Sequence, residues 1–278
     1  MLSVIIPTLN EAGYLFLLLD SIKKQSFKDY EIIIVDAGSA DKTVDFVKNN
    51  GYRVISIEGP AGFPASSRNA GAKIARGSLF FFLDGDSVLP SEHFLQKTLK
   101  EFEARKLDAA GFSLLPYKKN IFYRLGYNFF YNWYPALAFE KSLPHAANAI
   151  LVKKEVYQQV GGFDENIRIA EDHAYVREIS KKNRFGIIRS NPVYVLTKRF
   201  ECDGWLKTTL KFLLCELHMI FLGPVKSDIF KYRFGHFSKD KETKVLEIIL
   251  WPIGFVTLFI VWVLTILILL LRGLVKLF

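Results

Sequence analysis

Over the first hundred residues, short continuous apolar runs alternate with stretches whose apolar positions recur at helical spacing. Ser3–Ile6 is an apolar run closed by Pro7 and predicts a strand. Leu15, Leu18, Leu19 and Ile22 share one helical face and predict a helix from about Glu11 to Gln25, with Asn10 placed to cap it. Glu31–Val35 predicts a second strand, ended by Asp36-Ala37-Gly38-Ser39. Asp41 can cap the helix that follows, with Val44 and Val47 turned inward. Arg53–Ile57 predicts a third strand, Ser66–Ala75 a helix stopped at Gly77, and Leu79–Leu83 a fourth strand. This βαβα rhythm predicts an α/β domain whose sheet is mostly parallel, with helices on both faces.

The rest is less regular. Ala109–Leu114 reads as a strand, and residues 120–139 are crowded with aromatics, from Phe122 and Tyr123 to Trp133, Tyr134 and Phe139. Such a stretch serves as core, as a helix-packing face, or as a segment at a lipid interface. Gly161-Gly162-Phe163-Asp164-Glu165 is a turn, Glu171–Lys182 a helix, and Ile187–Ile188 and Val193–Leu196 two closing strands. Leu206–Leu222 carries Leu206, Leu210, Leu213, Leu214, Leu217 and Phe221 on one broad face, interrupted by Lys207, Lys211 and Glu216, which suits a helix lying on a membrane surface. Residues 248–271 contain no charge over 24 positions, enough to cross a bilayer. The expected organisation is a catalytic domain at 1–200, a basic amphipathic membrane-proximal segment at 201–244, and a transmembrane helix with a short tail at 245–278.

Charge sharpens this division. The chain carries a net +9, yet residues 1–180 balance, with 21 basic and 21 acidic side chains. Residues 181–244 carry 14 Lys and Arg against 6 Asp and Glu. A basic surplus beside an apolar span suits an anionic leaflet, and no nucleic-acid motif accompanies it. Lys231, Arg233, Lys239, Lys241 and Lys244 precede the span, while Arg272 and Lys276 follow it. The positive-inside rule then predicts a single-pass protein of the cell membrane with its catalytic domain in the cytoplasm. The chain opens directly into a strand, so no signal peptide is expected. Cys202 and Cys215 form neither a disulfide framework nor a metal pattern and read as free thiols.

The chemistry gathers at strand ends, where open α/β sheets place their ligands. Asp84-Gly85-Asp86 closes the run Ser78–Leu83. Two hard carboxylates at this spacing suit Mg²⁺ or Mn²⁺, although the same tripeptide also makes a plain solvated turn. The other ends supply Pro7-Thr8-Leu9-Asn10-Glu11, Asp36-Ala37-Gly38-Ser39-Ala40-Asp41 and Ser67-Arg68-Asn69-Ala70-Gly71. In this order, over about residues 1–200, the set resembles the inverting family 2 glycosyltransferases of the GT-A type, which use nucleotide-sugar donors. The resemblance implies a GT-A nucleotide-diphospho-sugar transferase fold. It further implies that Pro7, Leu9 and Glu11 wrap the nucleotide, that Asp36 accepts from the base, and that Arg68 lies on the donor side. Asp84 and Asp86 match the family's Asp-x-Asp motif, Asp86 as direct metal ligand. Asp164 and the Glu171-Asp172 pair match its acceptor region, with Asp172 as general base.

Plainer roles stand beside these: Asn10 as a helix cap, Asp36 as a turn initiator, Arg68 as a surface helix residue, and Glu171-Asp172 as carboxylates at a helix start. Ala37 stands where many relatives carry a second Asp. Arg199 is a candidate phosphate contact or part of a solvated basic edge, and the Gln-x-x-Arg-Trp motif of processive synthases is absent. The expected activity is transfer of one sugar to a membrane-associated acceptor, a lipid-linked glycan or, alternatively, a polyprenyl phosphate. From other classes, a sugar nucleotidyltransferase would need a glycine-rich basic N-terminal loop that this chain lacks, and a non-catalytic scaffold would have no use for Asp84, Asp86 and Asp172.

Overall fold

A computed structural model describes residues 1–57, 64–118, 120–128, 132, 144–232 and 234–235. In chain order its elements are β1 (Leu2–Thr8), α1 (Leu15–Lys23), β2 (Tyr30–Asp36), α2 (Thr43–Asn49), β3 (Val54–Ser56), α3 (Pro64–Ile74), β4 (Leu79–Leu83), β5 (Ser87–Val88), α4 (Phe94–Ala104), β6 (Ala109–Pro116), α5 (Ile121–Tyr127), β7 (Ala149–Lys153), α6 (Lys154–Val160), α7 (Glu171–Ser180), β8 (Phe185–Val195), α8 (Lys198–Asp203) and α9 (Trp205–Phe221).

Among the described residues, the sheet has eight strands in the order β3-β2-β1-β4-β7-β6-β8-β5. The expected parallel arrangement holds for β3, β2, β1 and β4. It does not extend to the whole sheet. β7 is antiparallel to both β4 and β6, β6 is parallel to β8, and β5 is antiparallel to β8. The sheet is therefore mixed rather than mostly parallel. The connection from β6 to β7 leaves and re-enters the sheet at its carboxyl edge, which reverses β7. The two expected closing strands are one, β8, with an irregularity opposite Phe112–Leu114.

β4 is buried on both faces, which explains its uninterrupted apolar run. Phe80 and Phe82 point to one side, where Tyr157 lies 5.4 Å and 5.8 Å away between ring centres. Phe81 points to the other, against Phe112 at 5.3 Å and Phe94 at 6.5 Å. α3 lies close on the parallel half. A Cβ at Gly71 would fall 2.4 Å from Ile5 Cγ2, so glycine is required for this approach. That contact sets the height of α3, and with it the position of Arg68.

The first helix starts later than expected. Asn10 has a left-handed backbone (φ +56°) and does not cap it. The N–H groups of Tyr14 and Leu15 instead donate to the Glu11 carbonyl, and α1 begins at Leu15. Pro7 does not end β1. Pairing with β4 stops at Ile5 while β2 continues to Thr8, so the missing amide falls where β1 has one neighbour.

The chain forms two compact units. One comprises Met1–Thr197 with Pro224–His236, and the other includes Lys198–Gly223, which carries α8 and α9. Return of the segment after 224 to the first unit was not expected. Among the described residues no helix is long and apolar enough to cross a membrane. The expected span at 248–271, and most of the aromatic stretch at 129–139, lie outside the described residues.

Candidate active site

The carboxyl edge of the parallel half brings distant residues onto one buried arginine. Arg68 projects from α3 and is only 3% exposed. Its Nη2 lies 2.7 Å from Asp84 Oδ1, at the end of β4, and its Nη1 lies 2.5 Å from Glu171 Oε1, at the start of α7. The guanidinium also lies 5.2 Å above the Phe163 ring, a cation–π contact in a desolvated setting. Burial opposes the charge on Arg68, but Asp84, Glu171 and Asp172 outweigh it and hold the side chain protonated. Arg68 is thus not a surface helix residue.

The carboxylates respond in turn. Burial pushes the Glu171 carboxyl up; Arg68 draws it down and Asp172 raises it further. Asp172 is also raised, first by burial and then by Asp84, against the pull of His173 and Arg68. The His173 N–H donates to Asp172 Oδ1 at 2.8 Å, and the His173 ring packs edge-on against His145 at 5.5 Å. Ala170, just before the pair, takes a left-handed backbone (φ +59°), uncommon for a residue with a Cβ, and turns the chain sharply into α7. Glu171 is consumed by Arg68, whereas Asp172 is half-buried. The pair therefore divides its work.

Asp86 is held differently. Asn148, just before β7, donates from Nδ2 to Asp86 Oδ1 at 2.9 Å, and its carbonyl accepts the Asp84 N–H at 2.9 Å. Asn148 itself is left-handed (φ +60°), a conformation asparagine tolerates. One residue thus orients both ends of Asp84-Gly85-Asp86. Glu11 reaches this turn from the first loop, since a Cβ at Gly85 would lie 3.4 Å from Glu11 Cγ.

The first loop is braced by the second. The Asn10 N–H donates to Ser39 Oγ at 2.8 Å, Asn10 Oδ1 accepts the Ala40 N–H at 2.8 Å, and the Glu11 N–H donates to Thr43 Oγ1 at 2.8 Å. Asp36 turns into its own loop. It accepts the N–H groups of Gly38 and Ser39 at 3.0 Å and the Ser39 hydroxyl. This is the turn-initiating arrangement. Asp164 is more open. It accepts from Asn166 through backbone and side chain, and Lys226 Nζ lies 3.3 Å away. Arg199 belongs to the second unit, on α8, where Asp203 Oδ2 lies 3.9 Å from its Nη1. Leu9 and Glu11 are half-buried on the first loop and Pro7 is half-buried in β1.

Two asparagines carry roles that spacing alone does not reveal. Asn148 is one. The other is Asn69, which satisfies all its polar valences on the turn before α7. Its Nδ2 donates to the Phe163 carbonyl at 2.9 Å and Glu165 Oε1 at 2.8 Å, and its Oδ1 accepts the Phe163 N–H and the Tyr157 hydroxyl, both at 2.9 Å. Asn69 thereby pins the 162–165 turn to α3, and Phe163 then stacks on Tyr175 at 3.9 Å. Among the described residues, no three His, Cys, Asp or Glu side chains cluster as a self-sufficient metal cage.

Residues 3–163 match Glycosyl transferase family 2. The chain belongs to glycosyl transferase family 2. Among curated relatives, this family 2 chain is 27% identical over 221 residues to the poly(ribitol-phosphate) β-N-acetylglucosaminyltransferase TarS of Staphylococcus aureus, covering 71% of this chain and 35% of that protein. It is 40% identical over 93 residues to a PGL/p-HBAD biosynthesis glycosyltransferase of Mycobacterium bovis, covering 32% of this chain and 36% of the relative. The matches thus span about a third of these relatives' length. Among solved structures, S. aureus TarS in complex with UDP-GlcNAc has a TM-score of 0.58 at 19% identity, covering 79% of this chain and 73% of that chain. A Pyrobaculum calidifontis mannosyltransferase in complex with GDP-Man and Mn²⁺ has a TM-score of 0.61 at 18% identity, covering 83% and 66%. At these identities the likeness is one of fold, and the expected glycosyltransferase α/β fold is met with a mixed sheet.

Proposed function

We propose that this chain is an inverting glycosyltransferase that moves one hexose from a nucleotide sugar to a hydroxyl of a membrane-associated, lipid-linked glycan. The observation that carries the reading is the Arg68 cluster. It joins the Asp-x-Asp turn to the Glu-Asp pair and leaves Asp172 half-buried, with a raised pKa. A base tuned toward the working pH is what direct displacement requires. The Asp172 carboxylate takes the proton of the acceptor hydroxyl, the hydroxyl oxygen bonds to the anomeric carbon, and the bond from that carbon to the diphosphate oxygen breaks. Arg68 and Glu171 fix the ground against which Asp172 is aimed, and the Leu9–Glu11 loop flanks the donor side. The relatives' names and bound ligands make UDP-GlcNAc the first donor to test and GDP-mannose the second.

The residues present also fit a divalent ion. Asp86 offers hard oxygen to the edge and is oriented by a neutral amide, whereas Asp84 already neutralises Arg68. Asp86 would be the protein ligand of Mg²⁺ or Mn²⁺, with donor phosphates completing the shell. When bound, such an ion offsets the charge growing on the leaving diphosphate. Calorimetry with UDP-GlcNAc and GDP-mannose, with and without Mn²⁺, tests the reading. One of them should bind, and Asp86→Ala should remove the Mn²⁺-dependent part of that affinity. Failure of both to bind, with a negative result for other nucleotide sugars, would refute donor use; parent-like Mn²⁺ dependence in Asp86→Ala would refute the ligand assignment.

The membrane part rests on sequence and on α9. Leu210, Leu214, Phe221 and Leu222 are exposed there, beside Lys207 and Lys211. With the uncharged run 248–271, this supports a single-pass membrane protein, and the basic residues that precede the run support a cytoplasmic catalytic domain. A chain ending at residue 244 should still float with anionic liposomes and detach as salt rises. Equal flotation with neutral liposomes would remove the electrostatic part of this argument.

A further inference from the structure

After α9, residues 224–232 and 234–235 group with the catalytic unit, and both ends of the stretch contact it. One end is rooted on the loop that leads into α7. The Arg168 N–H donates to the Val225 carbonyl at 2.8 Å, and Ile169 pairs with Val225 as an antiparallel bridge. Val225 is fully buried, and Lys226 lies beside Asp164. The other end is latched to the first loop. Asn10 donates from Nδ2 to the Gly235 carbonyl at 3.1 Å. Gly235 is left-handed (φ +63°), and a Cβ there would fall 2.5 Å from Leu9 Cγ and 2.9 Å from the Leu9 carbonyl oxygen. Backbone conformation and space both require glycine.

We infer that residues 224–232 and 234–235 form a positioning element of the transfer reaction, tying the donor loop at Leu9–Glu11 to the loop that delivers Asp172. The inference rests on the donor and base assignments proposed above. Its geometry is independent of them. Ile169 and Ala170 lead directly into Glu171-Asp172, so a contact at Ile169 bears on where the base points. Asn10 is likewise the node of the first loop, since its N–H and Oδ1 are committed to Ser39 and Ala40 and its Nδ2 remains for Gly235. A nucleoside diphosphate that settles on Leu9–Glu11 then pulls on a segment whose far end holds the approach to Asp172. Donor seating and base aim are set together, and neither Val225 nor Gly235 needs to touch the substrate.

Hydrogen exchange and calorimetry on the full chain with UDP and GDP, each with Mn²⁺, test this. In the parent chain, the nucleotide that binds should slow exchange at 224–235 and 168–172 as well as at 8–11. Gly235→Ala should weaken nucleotide binding by about tenfold, the order expected when a blocked left-handed site receives a Cβ. It should also confine protection to 8–11. Adding Leu9→Ala removes the clashing side chain and should restore part of the protection at 168–172. Parent-chain protection confined to 8–11 would overturn the tether without any variant. So would parent-like affinity and exchange in Gly235→Ala, and both results leave the donor reading intact. If the parent chain binds neither UDP nor GDP, the tether is overturned, and the donor reading falls with it only when the other nucleotide sugars fail as well.

Discussion

Replacing Arg68 with methionine should lower the stability of the catalytic unit by about 3 kcal/mol and abolish transfer. Methionine fills a similar volume, so the loss does not come from a cavity. It comes from Glu171, which stays buried with no cation against it, and from Asp84, which loses its ion pair with Arg68 at the end of β4. For a unit of this size the melting temperature should fall by about 2–4 °C per kcal/mol. The pH dependence identifies the cause. In the parent, Arg68 draws the Glu171 carboxyl down; without it that pKa rises further. A raised folded-state pKa makes the carboxylate costly above that value, and the cost fades as acid protonates it. The deficit of Arg68→Met should therefore shrink on acidification. A deficit independent of pH would point to packing against Phe163, and a variant as stable as the parent would remove the buried arginine from the architecture.

This cluster was only half legible in the sequence. Asp84-Gly85-Asp86 stood out because it closes a run that had to be a buried strand, and Glu171-Asp172 because two carboxylates open a helix. Nothing local connects them. The link is Arg68, whose partners lie 16 and 103 residues away along the chain. α3 brings them together because Gly71 lets it sit against Ile5. Asn148 was invisible for the same reason: its role depends on a reversed strand, β7, whose short apolar stretch carries no sign of its direction. Asp36 and Asn10 went the other way. Both belong to loops with obvious functional readings, yet their side chains mostly brace those loops, because closely spaced backbone N–H groups there need acceptors. Residues 224–235 have no periodic pattern in the sequence; Gly235 is placed where it is because only a glycine fits against Leu9, and Val225 by its bridge to Ile169.

Asp172→Asn should leave nucleotide-sugar binding near the parent value and cut transfer by roughly 10²–10⁴, the usual contribution of a general base. Asparagine keeps the size of the side chain and can still accept the His173 N–H, so the start of α7 should survive. It cannot take up the acceptor proton. A purely structural carboxylate at this helix start predicts the opposite, since its work would pass to asparagine with little loss of stability or turnover. Single-turnover transfer beside donor affinity distinguishes the two. The pH profile adds a second test. Burial and Asp84 raise the Asp172 pKa above the ordinary carboxylate range. Parent transfer should therefore rise with pH through a limb above that range, as the base is freed, and Asp172→Asn should lose the limb along with the rate. Glu171 is no substitute while it is paired to Arg68. If Asp172→Asn retained both transfer and the acid limb, the base would have to lie outside this pair, with the edge that carries His145 and His173 the next place to look.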